Sequence, residues 1–116
     1  MLEIKSLKVD FQLKENTIHA VKGIDFSVTG SQNVGIVGES GSGKSVTALS
    51  IMGLLPETAK LSGEILFENN NLLQLSNKQM RQYRGSKIGY IFQNPLAALN
   101  PVFSISNQMI ETILLH

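Results

Sequence analysis

Residues Gly38-Glu39-Ser40-Gly41-Ser42-Gly43-Lys44-Ser45 fit the pattern G-x-x-x-x-G-K-[ST] at every fixed position. The run before them, Asn33-Val34-Gly35-Ile36-Val37, is apolar and β-branched, and predicts a buried strand. The run after them, from Val46 to Leu55, predicts a helix. A strand, a glycine-rich loop and a helix in that order form the context the pattern requires. Glycines at 38, 41 and 43 allow positive φ and let the backbone approach an anion without a Cβ in the way. The loop amides, together with the unpaired donors and positive end of the following helix, then converge on phosphate oxygens. Lys44 supplies a positive charge for the β- and γ-phosphates, and Ser45 a hydroxyl suited to Mg²⁺. The ligand class implied is the phosphates of a nucleoside triphosphate with Mg²⁺. Glu39, a carboxylate inside this loop, is expected to point to solvent, because a phosphate would repel it.

A chain of 116 residues with 42% hydrophobic and 16% charged residues is one globular domain's worth of sequence, lightly charged. A net charge of +1 gives no reason to expect nucleic acid as a partner. With no cysteine there is no disulfide and no thiolate metal site. Met1-Leu2-Glu3-Ile4-Lys5 lacks the basic-then-apolar form of a secretory signal, and no apolar stretch reaches the length of a membrane span. Low charge in such a chain suggests apolar surface kept for a partner or for the rest of a larger protein.

Along the chain, Leu2, Ile4, Leu7, Val9 and Phe11 alternate with polar residues, with a slip of phase at Lys5-Ser6. Lys14-Glu15-Asn16-Thr17 interrupts the pattern as a turn; Ile18, Ala20, Ile24, Phe26 and Val28 resume it, to a second turn at Thr29-Gly30-Ser31. The expectation is an N-terminal antiparallel β-meander over 1–32 leading into the buried strand before the loop. Pro56 is expected to close the helix, and Leu61 to Glu68 to form another strand ending in a turn at Asn69-Asn70-Asn71. Ser76 and Gln79 have capping-box spacing, opening a short helix expected to stop at Gly85. Lys87 to Phe92 reads as a further β run, followed by Gln93-Asn94-Pro95. From Ile105, an apolar stripe of Ile105, Met109, Ile110, Ile113 and Leu114 has helical spacing and is expected to pack as core or between subdomains, contact with a membrane subunit being the alternative.

Joined to Tyr90-Ile91-Phe92-Gln93-Asn94-Pro95 and Leu99-Asn100-Pro101-Val102-Phe103, the loop and its flanks resemble the N-terminal part of an ABC transporter ATP-binding subunit. Within that superfamily the wording from Gly35 to Pro56 is similar to the oligopeptide and dipeptide importer group. The resemblance covers essentially the whole chain. It implies an α/β P-loop NTPase fold, an ABC-type nucleotide-binding domain whose core sheet is incomplete because the chain is truncated. The expected divisions are 1–32 for the meander, 33–56 for the Walker A strand and helix, 57–103 for strands, short helix and Q-loop, and 104–116 for the start of the helical subdomain.

The same resemblance implies residue roles. Gly38, Ser40, Gly41, Ser42, Gly43, Lys44, Ser45 and Val46 would hold ATP, and Phe11 would stack on adenine where relatives often carry Tyr. Gln93 would be the Q-loop glutamine, reaching Mg²⁺ together with Ser45, or orienting the attacking water. An amide can ligate or orient but cannot act as a general base, so no catalytic residue is expected in this stretch. Gln93 to Phe103 would face a membrane subunit. Implied partners are transmembrane permease subunits and a second ATP-binding subunit, with the protein peripheral on the cytoplasmic face of the cell membrane.

The sequence holds no Leu-Ser-Gly-Gly-Gln signature, no apolar strand ending in Asp-Glu, and no histidine in the switch position. Leu61-Ser62-Gly63-Glu64 is only superficially similar to the signature and is expected to be a β-turn entry. On this reading the chain alone does not hydrolyse ATP. Two rivals stay open: a non-catalytic nucleotide-binding module, and a P-loop NTPase outside transport. His19 and His116 read as lone histidines, Tyr83 and Tyr90 as helix-surface and sheet residues, and Lys78, Arg81, Arg84 and Lys87 as a solvated face.

Overall fold

The structure, a computed structural model, describes residues 1–94 and 98–115. Pro95 of the Gln93-Asn94-Pro95 run, and His116, lie outside the described residues. The chain divides into two compact units, Met1–Met80 and Arg81–His116.

The first unit is built on β1 (Leu2–Gln12), which has neighbours on both sides. β2 (Thr17–Val28) folds back along it through a turn in which Leu13 N–H donates to the Asn16 carbonyl at 2.8 Å. β3 (Ala59–Phe67) takes the other side of β1, and β4 (Asn70–Asn71) follows it, giving the order β2-β1-β3-β4, antiparallel throughout. The expected N-terminal meander is thus a hairpin, and the third strand reaches it only after the phosphate loop and its helix. The slip of phase at Lys5-Ser6 is a bulge. Ser6 has φ +46°, and the pairing skips between Ile4 and Leu7 on the β2 side and between Lys5 and Lys8 on the β3 side. The extra residue turns Leu7 back to the face that Ile4 occupies. Ile4, Leu7, Val9 and Ile65 consequently form a core with at most 1% of each exposed.

Gly63 faces this bulge with φ +94°, and a Cβ there would lie 2.5 Å from the Lys5 and Ser6 carbonyl oxygens. Only glycine fits. Leu61-Ser62-Gly63-Glu64 therefore lies inside β3 and not at a turn before it, because Gly63 accommodates the bulge of the neighbouring strand. The β3–β4 turn has Glu68 and Asn69 at φ +49° and +66°, the two positive values a type I′ hairpin turn needs.

Helix α1 (Lys44–Met52) ends at Gly53, φ +59°, where Gly53 N–H reaches the Ser50 carbonyl and Leu54 N–H the Leu49 carbonyl. This is a Schellman closure, so the helix stops three residues before Pro56, the residue expected to close it. A single turn of 3₁₀ helix at Leu72–Gln74 precedes α2 (Asn77–Met80). The capping box forms: Ser76 N–H donates to Gln79 Oε1 at 2.9 Å, and Gln79 N–H to Ser76 Oγ at 3.4 Å. The helix it opens ends at Met80, short of Gly85. Gly85, at φ +82°, instead lies in a turn where its N–H donates to the Ile88 carbonyl at 3.0 Å.

Two expected strands are not formed. Asn33–Val37 has no ladder partner among the described residues, and Val34, Ile36 and Val37 are 50%, 50% and 95% exposed. Without a neighbour to satisfy its N–H and C=O groups, an extended run is not a strand, whatever its composition. Lys87 to Phe92 likewise shows only an isolated bridge from Ile88 to Arg84, with Tyr90 and Phe92 ring to ring at 4.7 Å, so neither Tyr83 nor Tyr90 sits on a helix or a sheet. In the second unit α3 (Ile105–Leu115) begins where the stripe predicted, yet Met109, Ile113 and Leu114 of that stripe are more than half exposed and do not form a core.

Candidate functional site

The phosphate loop begins where the extended 33–37 run ends, and its geometry follows from its glycines. Gly41 and Gly43 have φ +82° and +90°. Gly43 is also the N-cap of α1, with no side chain capping the helix start. The first intrahelical bond runs from Thr47 N–H to the Gly43 carbonyl at 2.8 Å. The amides of Lys44, Ser45 and Val46 therefore have no intrahelical acceptor and open toward the loop with the positive end of the helix dipole. Two buried hydroxyls brace this turn: Thr47 Oγ1 donates to the Gly43 carbonyl at 3.0 Å and Ser50 Oγ to the Val46 carbonyl at 2.7 Å.

Gly43 has a second reason to be glycine. A Cβ there would come within 2.6 Å of the Ala20 carbonyl oxygen and 3.2 Å of Val21 Cγ2, so β2 passes against the helix start. At Gly38 a Cβ would lie 2.7 Å from Ser42 Oγ, closing the loop on itself. Lys44 folds back over the loop, its Nζ donating to the Gly38 carbonyl at 2.8 Å, the Glu39 carbonyl at 2.7 Å and Ser42 Oγ at 3.3 Å. The ammonium is thereby tethered at the mouth of the cradle by neutral acceptors. An anionic phosphate oxygen forms a charge-assisted bond about twice as strong as a neutral one and would take their place. Ser45 is exposed and Val46 half-buried. Glu39 is exposed and lends the site its carbonyl.

These residues fit a triphosphate: nothing lies within 4 Å of where a Cβ on Gly41 would stand, the three helix-start amides have no intrahelical acceptor, and the cation is adjacent. A cavity of about 530 Å³ borders the loop and has β2 residues from His19 to Ile24 as its other wall. That volume lies within the roughly 300–1,000 Å³ usual for ligand pockets.

The other expected site residues stand elsewhere. Phe11 is half-buried in β1, opposite Ile18 on β2 and Ala59 on β3, and does not line the cavity. Gln93 is exposed and belongs to the second unit. Among the described residues no three His, Cys, Asp or Glu side chains gather as a metal-binding group. His19, expected to lack metal-ligand partners, has its Nδ1 2.7 Å from Asp10 Oδ1, a pairing the sequence reading does not anticipate. Neither this pair nor the contact of Ala20 with Gly43 is legible in the sequence, since both depend on an irregular register between β1 and β2.

The model of the ABC transporter family matches residues 21–112. A probable peptide ABC transporter ATP-binding protein of Sinorhizobium fredii is 46% identical over 118 residues, an alignment covering 100% of this chain and 35% of that protein. A dipeptide transport ATP-binding protein of Bacillus subtilis is 47% identical, with the same coverage. The chain thus spans about a third of the length of these curated relatives. Among solved structures, the dimeric structure of MJ0796, a bacterial ABC transporter cassette, superposes with a TM-score of 0.82 at 26% identity, over 98% of this chain and 47% of that one. No helix among the described residues is long and apolar enough to cross a membrane. With a glycine cradle, an uncapped helix start and a tethered lysine at the positions the family pattern demands, this chain belongs to the ABC transporter family.

Proposed function

We propose that this chain is the N-terminal part of an ATP-binding subunit that couples ATP binding and hydrolysis to the import of peptides or similar small solutes. The observation that carries the reading is the loop itself: positive φ at Gly41 and Gly43, three helix-start amides without an intrahelical acceptor, and Lys44 Nζ held only by neutral oxygens. Gly38 to Val46 supply the phosphate contacts, the Ser45 hydroxyl and the Gln93 amide are the ligands offered to Mg²⁺, and Phe11 offers its ring to adenine. Bound ATP supplies the free energy that the complex converts into transport. The names of the relatives favour peptides as the transported class. The partners proposed are permease subunits and a second ATP-binding subunit, on the cytoplasmic face of the membrane. Exposed Leu99, Val102 and Phe103 give the segment after Gln93 an apolar surface suited to the permease.

The sequence carries neither an Asp-Glu strand end nor a signature, so the chain taken alone is proposed to grip phosphates without cleaving them. Calorimetry on the folded chain and on Lys44→Ala tests the reading. Losing one charge-assisted contact, about 1.5–3 kcal/mol, should weaken Mg-ATP binding by roughly tenfold to a hundredfold. Phosphate release by both proteins should equal the buffer rate. Unchanged affinity removes the phosphate role from Lys44, and turnover that Lys44→Ala abolishes would mean the chain already contains what cleavage needs.

A further inference from the structure

The cavity beside the phosphate loop has a wall that phosphate binding leaves unused. Its β2 side carries His19, and a register break places that residue. Val9 pairs with Val21 but Asp10 pairs with His19, leaving Ala20 as the extra residue of a bulge. The carbonyl of Ala20 is the atom against Gly43, so His19 stands one residue from the point where β2 touches the loop.

Asp10 Oδ1 lies 2.7 Å from His19 Nδ1. A carboxylate can only accept, so in the neutral ring Nδ1 carries the proton and Nε2 is an acceptor. The side chain is 62% exposed, and no donor among the described residues meets Nε2. Ionised phosphate groups have no donor to offer such an atom. Ribose hydroxyls and the exocyclic amino group of a base do. We propose that His19, oriented by Asp10, reads the nucleoside end of a nucleotide whose phosphates occupy the Gly38–Ser45 loop, by accepting a hydrogen bond at Nε2. Phe11 follows Asp10 directly on β1, so its ring projects from the opposite face of the strand. A nucleoside read by His19 therefore lies on the other face from the Phe11 ring, so the two contacts are alternatives, and the cavity is lined by His19 and not by Phe11. The inference rests on the phosphate-loop reading and adds to it a device that tells a nucleotide from a bare polyphosphate.

The test compares ATP with inorganic triphosphate by calorimetry, using the full chain and its His19→Leu and His19→Gln variants. His19→Leu should weaken ATP about five- to tenfold, the range of one net hydrogen bond, and leave triphosphate unchanged. His19→Gln, which keeps an acceptor, should restore part of the loss. Asp10→Asn, which no longer fixes the tautomer, should weaken ATP in the same sense without touching His19. In NMR spectra the His19 ring nitrogens should shift with ATP and not with triphosphate. Repeating the comparison with 2′,3′-dideoxy-ATP and with inosine triphosphate identifies the donor, since the nucleotide lacking it becomes insensitive to His19→Leu. Equal ATP affinity in His19→Leu overturns the inference, as does an equal loss for ATP and triphosphate. If the unaltered chain binds triphosphate no better than Lys44→Ala does, the phosphate-loop reading has failed and the inference falls with it. Normal triphosphate binding with no His19 effect removes the inference alone.

Discussion

Two stretches of the first unit are built from the same kinds of residue and meet opposite fates. Ile4, Leu7 and Val9 on β1 are buried to within 1%. Val34, Ile36 and Val37, before the phosphate loop, are at least half exposed. Neither hydrophobicity nor β-branching separates the two runs. Partners do: β1 has β2 on one side and β3 on the other, while 33–37 has no ladder among the described residues. A strand is a property of a pair, and the bulge at Ser6 shows how far β1 bends to keep both of its pairings. The phosphate loop, by contrast, keeps its shape without a paired strand before it. Its geometry comes from Gly41, Gly43, the start of α1 and the Lys44 tether, all local to the loop or to β2.

The comparison is most easily broken in the core. Leu7→Ala removes a side chain with no exposure from the most heavily paired strand, and should destabilise the unit by about 2–5 kcal/mol. Denaturant unfolding followed by circular dichroism reads this directly. A loss under 1 kcal/mol would mean that the sheet is not what holds the unit together. Next in size is Gly63→Ala. Its Cβ would meet two carbonyl oxygens at 2.5 Å while the residue is held at φ +94°, so a penalty of about 2–3 kcal/mol is expected. The same substitution at Gly30, where nothing lies within 4 Å of the added Cβ, is the control and should change stability little.

These positions also show what the sequence could reveal. The break at Lys5-Ser6 was visible as a slip in alternation, and the structure turns it into a bulge with the positive φ of Ser6. Ser76 and Gln79 were legible because a capping box closes within four residues, and the helix start needs nothing from elsewhere. The conformation of the glycine loop, with positive φ at Gly41 and Gly43 before the start of α1, is legible for the same reason. The strands of the sheet are legible where alternation meets a neighbour, as in β1, β2 and β3; what the sequence does not show is whether a given run has that neighbour. The runs 33–37 and 87–92 have strand composition but no neighbour, and α3 has a stripe but nothing covering it among the described residues. Gly63 reads as part of a turn in the sequence because its real constraint, the Lys5 and Ser6 carbonyls, lies more than fifty residues away. The pair of His19 and Asp10 is not legible in the sequence because only a register break brings the two together.

The smallest expected effect sharpens the comparison most. Val37 is 95% exposed, so Val37→Ser removes no buried surface and should shift unfolding by no more than about 0.5 kcal/mol. By composition alone Val37 and Val9 are the same residue in the same kind of run. If pairing decides burial, their serine variants must differ several-fold in unfolding free energy, with Val9→Ser the costly one. Amide hydrogen exchange on the unaltered chain supplies the second reading. The Val9 amide, inside a ladder, should be protected, and the Val37 amide, outside one, should exchange close to the rate of an unstructured peptide. Protection at Val37, or a large loss on Val37→Ser, would reveal a partner strand already on 33–37 and remove the contrast. Fast exchange at Val37 beside intact nucleotide binding would establish that the loop holds phosphates by its own glycines and helix start, before any strand is in place beneath it.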